Sequence, residues 1–188
     1  MTEQKALERL HARLVDAAAT DGTLDVAYRT LDTPLGSLLL ATTPAGLVRV
    51  AYASEDHESV LATLADRVSP RVLRAPARLD DVAHELDDYF AGRRRAFDLR
   101  LDLQLARGFR REVLQTLPTI PYGTTASYST VAANAGKPRA IRAAASACAT
   151  NPLPIVIPCH RVVRSDGTLG RYLGGPAAKQ TLLSLETT

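Results

Sequence analysis

The sequence predicts an α/β protein of the α+β kind, with an antiparallel sheet in its N-terminal half and mostly helices in its C-terminal half. Three observations carry this reading. Between Leu24 and Tyr52, short runs rich in Leu and Val are separated by two turn signals, Thr33-Pro34-Leu35-Gly36 and Thr43-Pro44-Ala45-Gly46. From Phe109 onward the apolar residues recur at helical spacing instead. The charge also divides. Residues 1–98 carry 12 Lys+Arg against 16 Asp+Glu, whereas residues 99–188 carry 11 against 4. A basic second half points to a polyanionic partner. At 188 residues the chain holds one large domain or two small ones, and the change of pattern places the boundary between 103 and 104.

Residues 1–20 place Leu7, Leu10, Leu14, Val15 and Ala18 at helical spacing, with Glu8, Arg9 and Arg13 between them; this helical extension is expected to end at Asp21-Gly22. His11 lies beside its apolar face and reads as structural. Residues 37–41 and 47–52 form an antiparallel meander. A helix follows from His57 to Val68 with Val60, Leu61 and Leu64 on one face. Another carries Val82, Leu86, Tyr89 and Phe90 and stops at Gly92. Arg93-Arg94-Arg95 reads most simply as a solvated turn, with a phosphate contact as the alternative. Phe97, Leu99, Leu101 and Leu103 alternate with Asp98, Arg100 and Asp102, the period of a half-buried strand. Nothing in residues 1–103 has the pattern of a catalytic site, so this half is expected to be scaffold.

In residues 104–188, Phe109, Val113, Leu114 and Leu117 make one helical stripe. Ser127 is a good N-cap for a helix over 128–135, and Gly136 sits where a helix stops. Pro138 is expected to open the next helix, running to about Thr150. Two short helices around a glycine turn are a helix-turn-helix signature. The second carries Arg139 and Arg142 among alanines, a slim basic cylinder suited to a nucleic-acid groove. Arg164-Ser165-Asp166-Gly167 is a turn. Gly170-Arg171-Tyr172-Leu173-Gly174-Gly175 lacks the features of a nucleotide-binding loop and reads as a backbone wall around a pocket. A last helix over 176–186 buries Leu182, Leu183 and Leu185.

The chemistry concentrates in Ile155-Val156-Ile157-Pro158-Cys159-His160-Arg161-Val162-Val163. The β-branched run reads as a buried strand or extended segment, and Pro158 fixes the backbone that delivers Cys159. A thiol beside an imidazole is a route to a thiolate nucleophile; a buried, inert cysteine is the competing reading. Cys148 and Cys159 make no disulfide framework, which fits a reduced, cytoplasmic setting, and with His160 they give no zinc-ligand spacing, so no metal is expected. No apolar run is long enough for a membrane span.

Pro158-Cys159-His160-Arg161-Val162, together with Asn151-Pro152, resembles the O6-alkylguanine-DNA alkyltransferases. The likeness runs from about Phe109 to Glu186 through Ile120-Pro121-Tyr122-Gly123, Ser127-Tyr128, Ala135-Gly136, the Arg142 helix, Tyr172 and Gly174-Gly175. It implies a ribonuclease-H-like N-terminal half and a winged-helix-like helix-turn-helix after it. It also implies single-turnover repair of double-stranded DNA containing alkylated bases. Cys159 would take the alkyl group from guanine O6, with thymine O4 a further candidate. His160 would act as base through a water, oriented by Glu186, and Asn151 would hold the turn. Arg142 would fill the stack vacated by the flipped base, entering from the minor groove, and Tyr128 would press the target phosphate. Arg139, Lys137 and the helix surface at Ala143 would contact DNA. Pro154, Val162, Tyr172 and Leu173 would line the base pocket.

No cofactor is implied, because the alkyl group comes from the DNA; the protein is expected to act as a monomer, with cooperative binding along DNA left open. Departures from the family pattern are Ile141, Ala145 and Ser146 on the recognition helix and Leu173 in the pocket, where smaller residues are usual. Three rivals compete: a non-catalytic sensor of alkylated bases with the same fold, a major-groove regulator, and a Cys-His hydrolase. Cys159 argues against the first and the alanine-rich helix against the second; the basic half and Arg142 argue against the third.

Overall fold

The computed structural model describes residues 3–187. Met1 and Thr2, at the start of the predicted extension, and Thr188 lie outside the described residues. Helix α1 (Glu3–Thr20) leads into three strands, β1 (Val26–Thr33), β2 (Gly36–Thr43) and β3 (Gly46–Tyr52), which pair antiparallel as the two turn signals require. Helix α2 (His57–Arg67), strand β4 (Val72–Arg74) and helix α3 (Asp80–Phe90) complete this half. The sheet order is β3-β2-β1-β4, and β4 lies parallel to β1 at the edge. That strand was not expected: three residues between Pro70 and Pro76 are too short for a visible alternation.

The sheet is buried on both faces. Leu38, Leu40, Leu47, Val50 and Tyr52 face the core shared with α3 and the C-terminal half, while Leu39, Ala41, Val48 and Ala51 pack under Val60 and Leu64 of α2. This explains the unbroken Leu38-Leu39-Leu40-Ala41 run, since a strand covered on both sides has no polar face to alternate. Each fully buried leucine here contributes about 1.5–3 kcal/mol. The expected strand over Phe97–Leu103 does not form. One bridge, Leu47 with Leu101, is all that pairs there, held by Leu47 N–H to Arg100 O and Asp102 N–H to Leu47 O, each 2.8 Å. The alternation was real, but the segment runs along the edge of the core as an irregular strap.

The helical half contains α4 (Phe109–Thr116), the two-residue strand β5 (Ala126–Ser127), α5 (Tyr128–Asn134), α6 (Ile141–Ala149), strand β6 (Val162–Val163) and α7 (Gly175–Glu186). Ser127 caps α5 as expected, its hydroxyl accepting from Thr130 N–H at 3.1 Å. Pro138 does not open α6. Residues 137–140 form a turn closed by Ala140 N–H to Lys137 O, and the helix begins at Ile141. Arg139 is therefore in the turn and Arg142 in the first helical turn. Nor is 155–157 a strand: it is a buried turn in which Ile155 adopts φ 73°, a left-handed conformation costly for a β-branched residue. No helix among the described residues is long and apolar enough to cross a membrane.

Candidate active site

The buried turn at 151–163 is organised by one side chain. Asn151, fully buried, accepts from Leu153 N–H at 2.9 Å and donates through Nδ2 to Ile157 O at 2.9 Å and to Cys159 Sγ at 3.1 Å. These bonds hold the strained Ile155 conformation and aim the thiol. Cys159 begins a single 3-10 turn that continues through His160 and Arg161 before entering β6. Three consecutive side chains are thereby fanned from one short turn, all of them buried.

His160 and Arg161 converge on Glu186, which reaches them from the last turn of α7. His160 Nε2 donates to Glu186 Oε1 at 2.8 Å. Arg161 grips the same carboxylate with Nε to Oε2 at 2.8 Å and Nη2 to Oε1 at 2.9 Å, and sends Nη1 to Ile120 O at 2.7 Å. Gly123 N–H adds 3.1 Å to Oε2, and Tyr89 O–H adds 2.7 Å to Oε1. Because the carboxylate only accepts, Nε2 carries the imidazole proton and Nδ1 is a bare acceptor. That Nδ1 is buried with no hydrogen-bond partner in the structure. An unpaired basic nitrogen on the residue that follows the thiol is a proton acceptor awaiting a donor.

Burial raises the Cys159 thiol to about 11, against the lowering effects of the Asn151 hydrogen bond and the Lys179 charge. Burial likewise lowers His160, outweighing the pull of Glu186 towards the cation. The resting pair is thus thiol and neutral imidazole, not a preformed thiolate. For Glu186 burial works against ionisation, but the bonds from His160, Arg161 and Tyr89 hold the carboxylate well below its ordinary range.

An open cleft of about 960 Å³ has Tyr128, Arg164, Arg171, Tyr172 and Leu173 in its lining; Cys159 and His160 are not in it, and Tyr172 joins it to their turn by setting its ring edge to face with His160 at 6.4 Å. Residues 170–175 do form a backbone wall. A Cβ on Gly170 would stand 2.1 Å from the Tyr128 hydroxyl, and one on Gly174 would stand 2.6 Å from the Tyr52 ring. Pro154 and Val162, expected in the pocket, are not among its lining; both are buried, within the 151–163 segment that carries Cys159. Arg142, Arg139, Lys137 and Ala143 are exposed and do not approach the thiol, forming instead a surface on α6 and the turn before it. Lys137 is partly engaged, 3.4 Å from Glu112 and stacked 4.8 Å over Phe109.

Sequence reasoning missed four residues here. Tyr52 and Tyr89 come from the half expected to be scaffold only. Arg161 was quoted in the motif without a role. Lys179, fully buried, donates to Val162 O at 2.5 Å and sits within electrostatic reach of Cys159. A signal for Lys179 existed: Lys179, Leu182 and Glu186 share one helical face at spacing three and four, and that face is buried.

Comparison with known proteins follows the same outline. The family model for the 6-O-methylguanine DNA methyltransferase ribonuclease-like domain matches residues 26–103, and that for the DNA binding domain of the same family matches 108–188. A methylated-DNA–protein-cysteine methyltransferase of Mycolicibacterium paratuberculosis is 38% identical over 86% of this chain and 92% of its own. The bifunctional transcriptional activator/DNA repair enzyme Ada of Escherichia coli is 40% identical over 87% of this chain and 46% of its own. The solved structure of Mycobacterium tuberculosis OGT in complex with DNA is 37% identical, with TM-score 0.74 over 86% of this chain and 92% of that one. Likeness on this scale, running through both halves and across the Cys159 turn, places the chain in the 6-O-methylguanine DNA methyltransferase family.

Proposed function

We propose that this protein repairs double-stranded DNA by moving the alkyl group of an O6-alkylguanine onto Cys159, once per molecule, as a methylated-DNA–protein-cysteine methyltransferase. The observation that carries the reading is the bare, buried Nδ1 of His160, the residue next in the chain to a thiol aimed by Asn151. His160 takes the thiol proton through a water while Glu186 stabilises the imidazolium that results. The sulfur attacks the alkyl carbon, a carbon–sulfur bond forms, and the carbon–O6 bond breaks. The electron pair passes to guanine, whose ring takes up the thiol's proton, returned through the imidazolium and water, so His160 ends neutral. No cofactor enters this balance, because the DNA brings the alkyl group.

The base must leave the stack to reach a thiol this deeply placed. The cleft, walled by Tyr128, Tyr172 and Leu173, is where the extruded base would enter, and Arg142 stands exposed on α6 to take the vacated place, with Arg139, Lys137 and the surface at Ala143 against the backbone. Tyr172 and Leu173 would meet the base, whereas Pro154 and Val162 are buried within the segment that carries the thiol. Thymine alkylated at O4 offers the same carbon–oxygen bond and is included. In this reading residues 1–103 are the supporting domain and 104–188 the transferring one, acting as a monomer in a reduced, cytoplasmic setting.

The test is the intact mass of the protein after incubation with a duplex holding one O6-methylguanine, beside Cys159→Ala. One added methyl per protein, absent in the variant, is the expected result. Binding to the lesion with no mass gain would overturn transfer in favour of a lesion sensor.

A further inference from the structure

Tyr52 closes β3, and its side chain leaves the N-terminal sheet for the glycine-rich loop that walls the cleft. Its hydroxyl lies 2.8 Å from that of Tyr172, a bond between residues 120 positions apart, and both side chains are buried. The two rings meet edge to face, with centroids 5.9 Å apart. The Tyr52 ring also presses on the loop two residues further on, so closely that Gly174 has no space for a Cβ. Tyr172 in turn sets its ring edge to face with His160 at 6.4 Å. One residue of the sheet thus holds the loop at two points, its hydroxyl and its ring, and Leu173 is strung between them.

We infer that Tyr52 is a specificity-determining residue of the transfer site, fixing the room that Tyr172 and Leu173 leave for the alkyl group. The inference rests on the proposed alkyl transfer. Tyr172 and Leu173 line the cleft, and Tyr172 also meets the ring of His160, the residue that follows the thiol, so on the proposed route their position governs how large a group reaches Cys159. A wall held by one hydroxyl pair and one ring contact cannot widen without breaking them. Both hydroxyls are held in the neutral form by burial, so the bond persists across the pH range in which a thiol can be alkylated. Tyr52→Phe keeps the ring against Gly174 and removes the bond, leaving the Tyr172 hydroxyl without its partner. The wall then yields, a methyl group is held less firmly for in-line attack, and a bulkier group gains space.

The experiment compares single-turnover transfer, at saturating duplex, from O6-methylguanine and from O6-benzylguanine. It uses the full chain and Tyr52→Phe, with duplex affinity measured in parallel. Expected is a benzyl-to-methyl rate ratio raised by about three- to tenfold, the scale of one net hydrogen bond, with affinity for unmodified duplex unchanged. Rates that fall by one common factor would reduce Tyr52 to a structural residue and overturn the inference, as would rates that do not move. If the unaltered protein transfers neither group, the failure belongs to the proposed function and not to Tyr52. Should Tyr52→Phe unfold, Tyr172→Phe removes the same bond from the other side and is expected to raise the same ratio.

Discussion

Glu186 accepts hydrogen bonds from His160, Arg161, Tyr89 and Gly123 while almost wholly buried. Such a group is a stability element as well as a site residue. Glu186→Gln would leave Arg161 with an uncompensated charge in the interior, a loss of about 3–5 kcal/mol. The sign with pH follows from the direction of the shift. The folded carboxylate sits below the ordinary value of 4.5, so its contribution is full above that value and is lost as pH falls through the folded one. Thermal melts from pH 8 to pH 3 should therefore show a wide gap between the two proteins at neutral pH that narrows below pH 4.5. A gap constant with pH would mean the carboxylate binds its proton equally well folded and unfolded, so that the site does not hold it below its ordinary value. Cys159 and His160 were legible as adjacent residues in the motif, whereas Asn151 and Glu186 were expected only through the family resemblance, since nothing in their spacing singles them out. Tyr52 and Tyr89 were not legible, since an apolar ring in a strand or helix stripe looks like core until the chain folds and its hydroxyl finds a distant partner. Arg161 and Lys179 were hidden for a related reason: a buried cation is read as solvated unless its acceptor is known.

At the scale of elements, α6 is divided by function along its circumference. Ala144, Ala147 and Cys148 pack inward, while Arg142, Ala143 and Ser146 face solvent. Because Arg142 touches no core, Arg142→Ala should leave the melting temperature within about half a kcal/mol of equivalent stability. Transfer from duplex should fall at least about tenfold, because an unfilled stack favours return of the base. Transfer from the free base O6-benzylguanine, which needs no extrusion, should hardly change. Equal loss on both substrates would show that Arg142 acts on the thiol's surroundings instead. Element boundaries were less legible than element identities. Pro138 is compatible with a first helical turn, and the sequence offers no sign that Lys137 and Ala140 close a separate turn before the helix. The 155–157 run was misread for a better reason: its β-branched residues are extended-chain formers, overruled by Asn151, whose three bonds pay for the left-handed Ile155.

For the whole molecule, the decisive feature is that the acidic and basic halves share one core. Leu38, Leu40 and Val50 of the sheet lie in the same apolar cluster as Val113, Leu114, Leu153 and Ile157 of the helical half. Polar ties cross the same boundary: Val50 N–H to Pro152 O at 2.9 Å, Arg49 Nη1 to Pro152 O at 3.2 Å, Tyr52 to Tyr172 and Tyr89 to Glu186. Each tie to the helical half ends within or beside the turn, loop or helix that builds the transfer site. Two halves with separate cores would melt separately, whereas these should unfold as one cooperative unit. Calorimetry should accordingly give a single peak whose measured enthalpy equals the van't Hoff value, and tyrosine fluorescence and far-ultraviolet circular dichroism should follow the same midpoint. Two peaks, or a tyrosine transition that precedes the loss of helix, would mean that the sheet can release the helical half while it stays folded. The Tyr52 contact could not then hold the pocket wall rigid, because the element that anchors it would be free to leave.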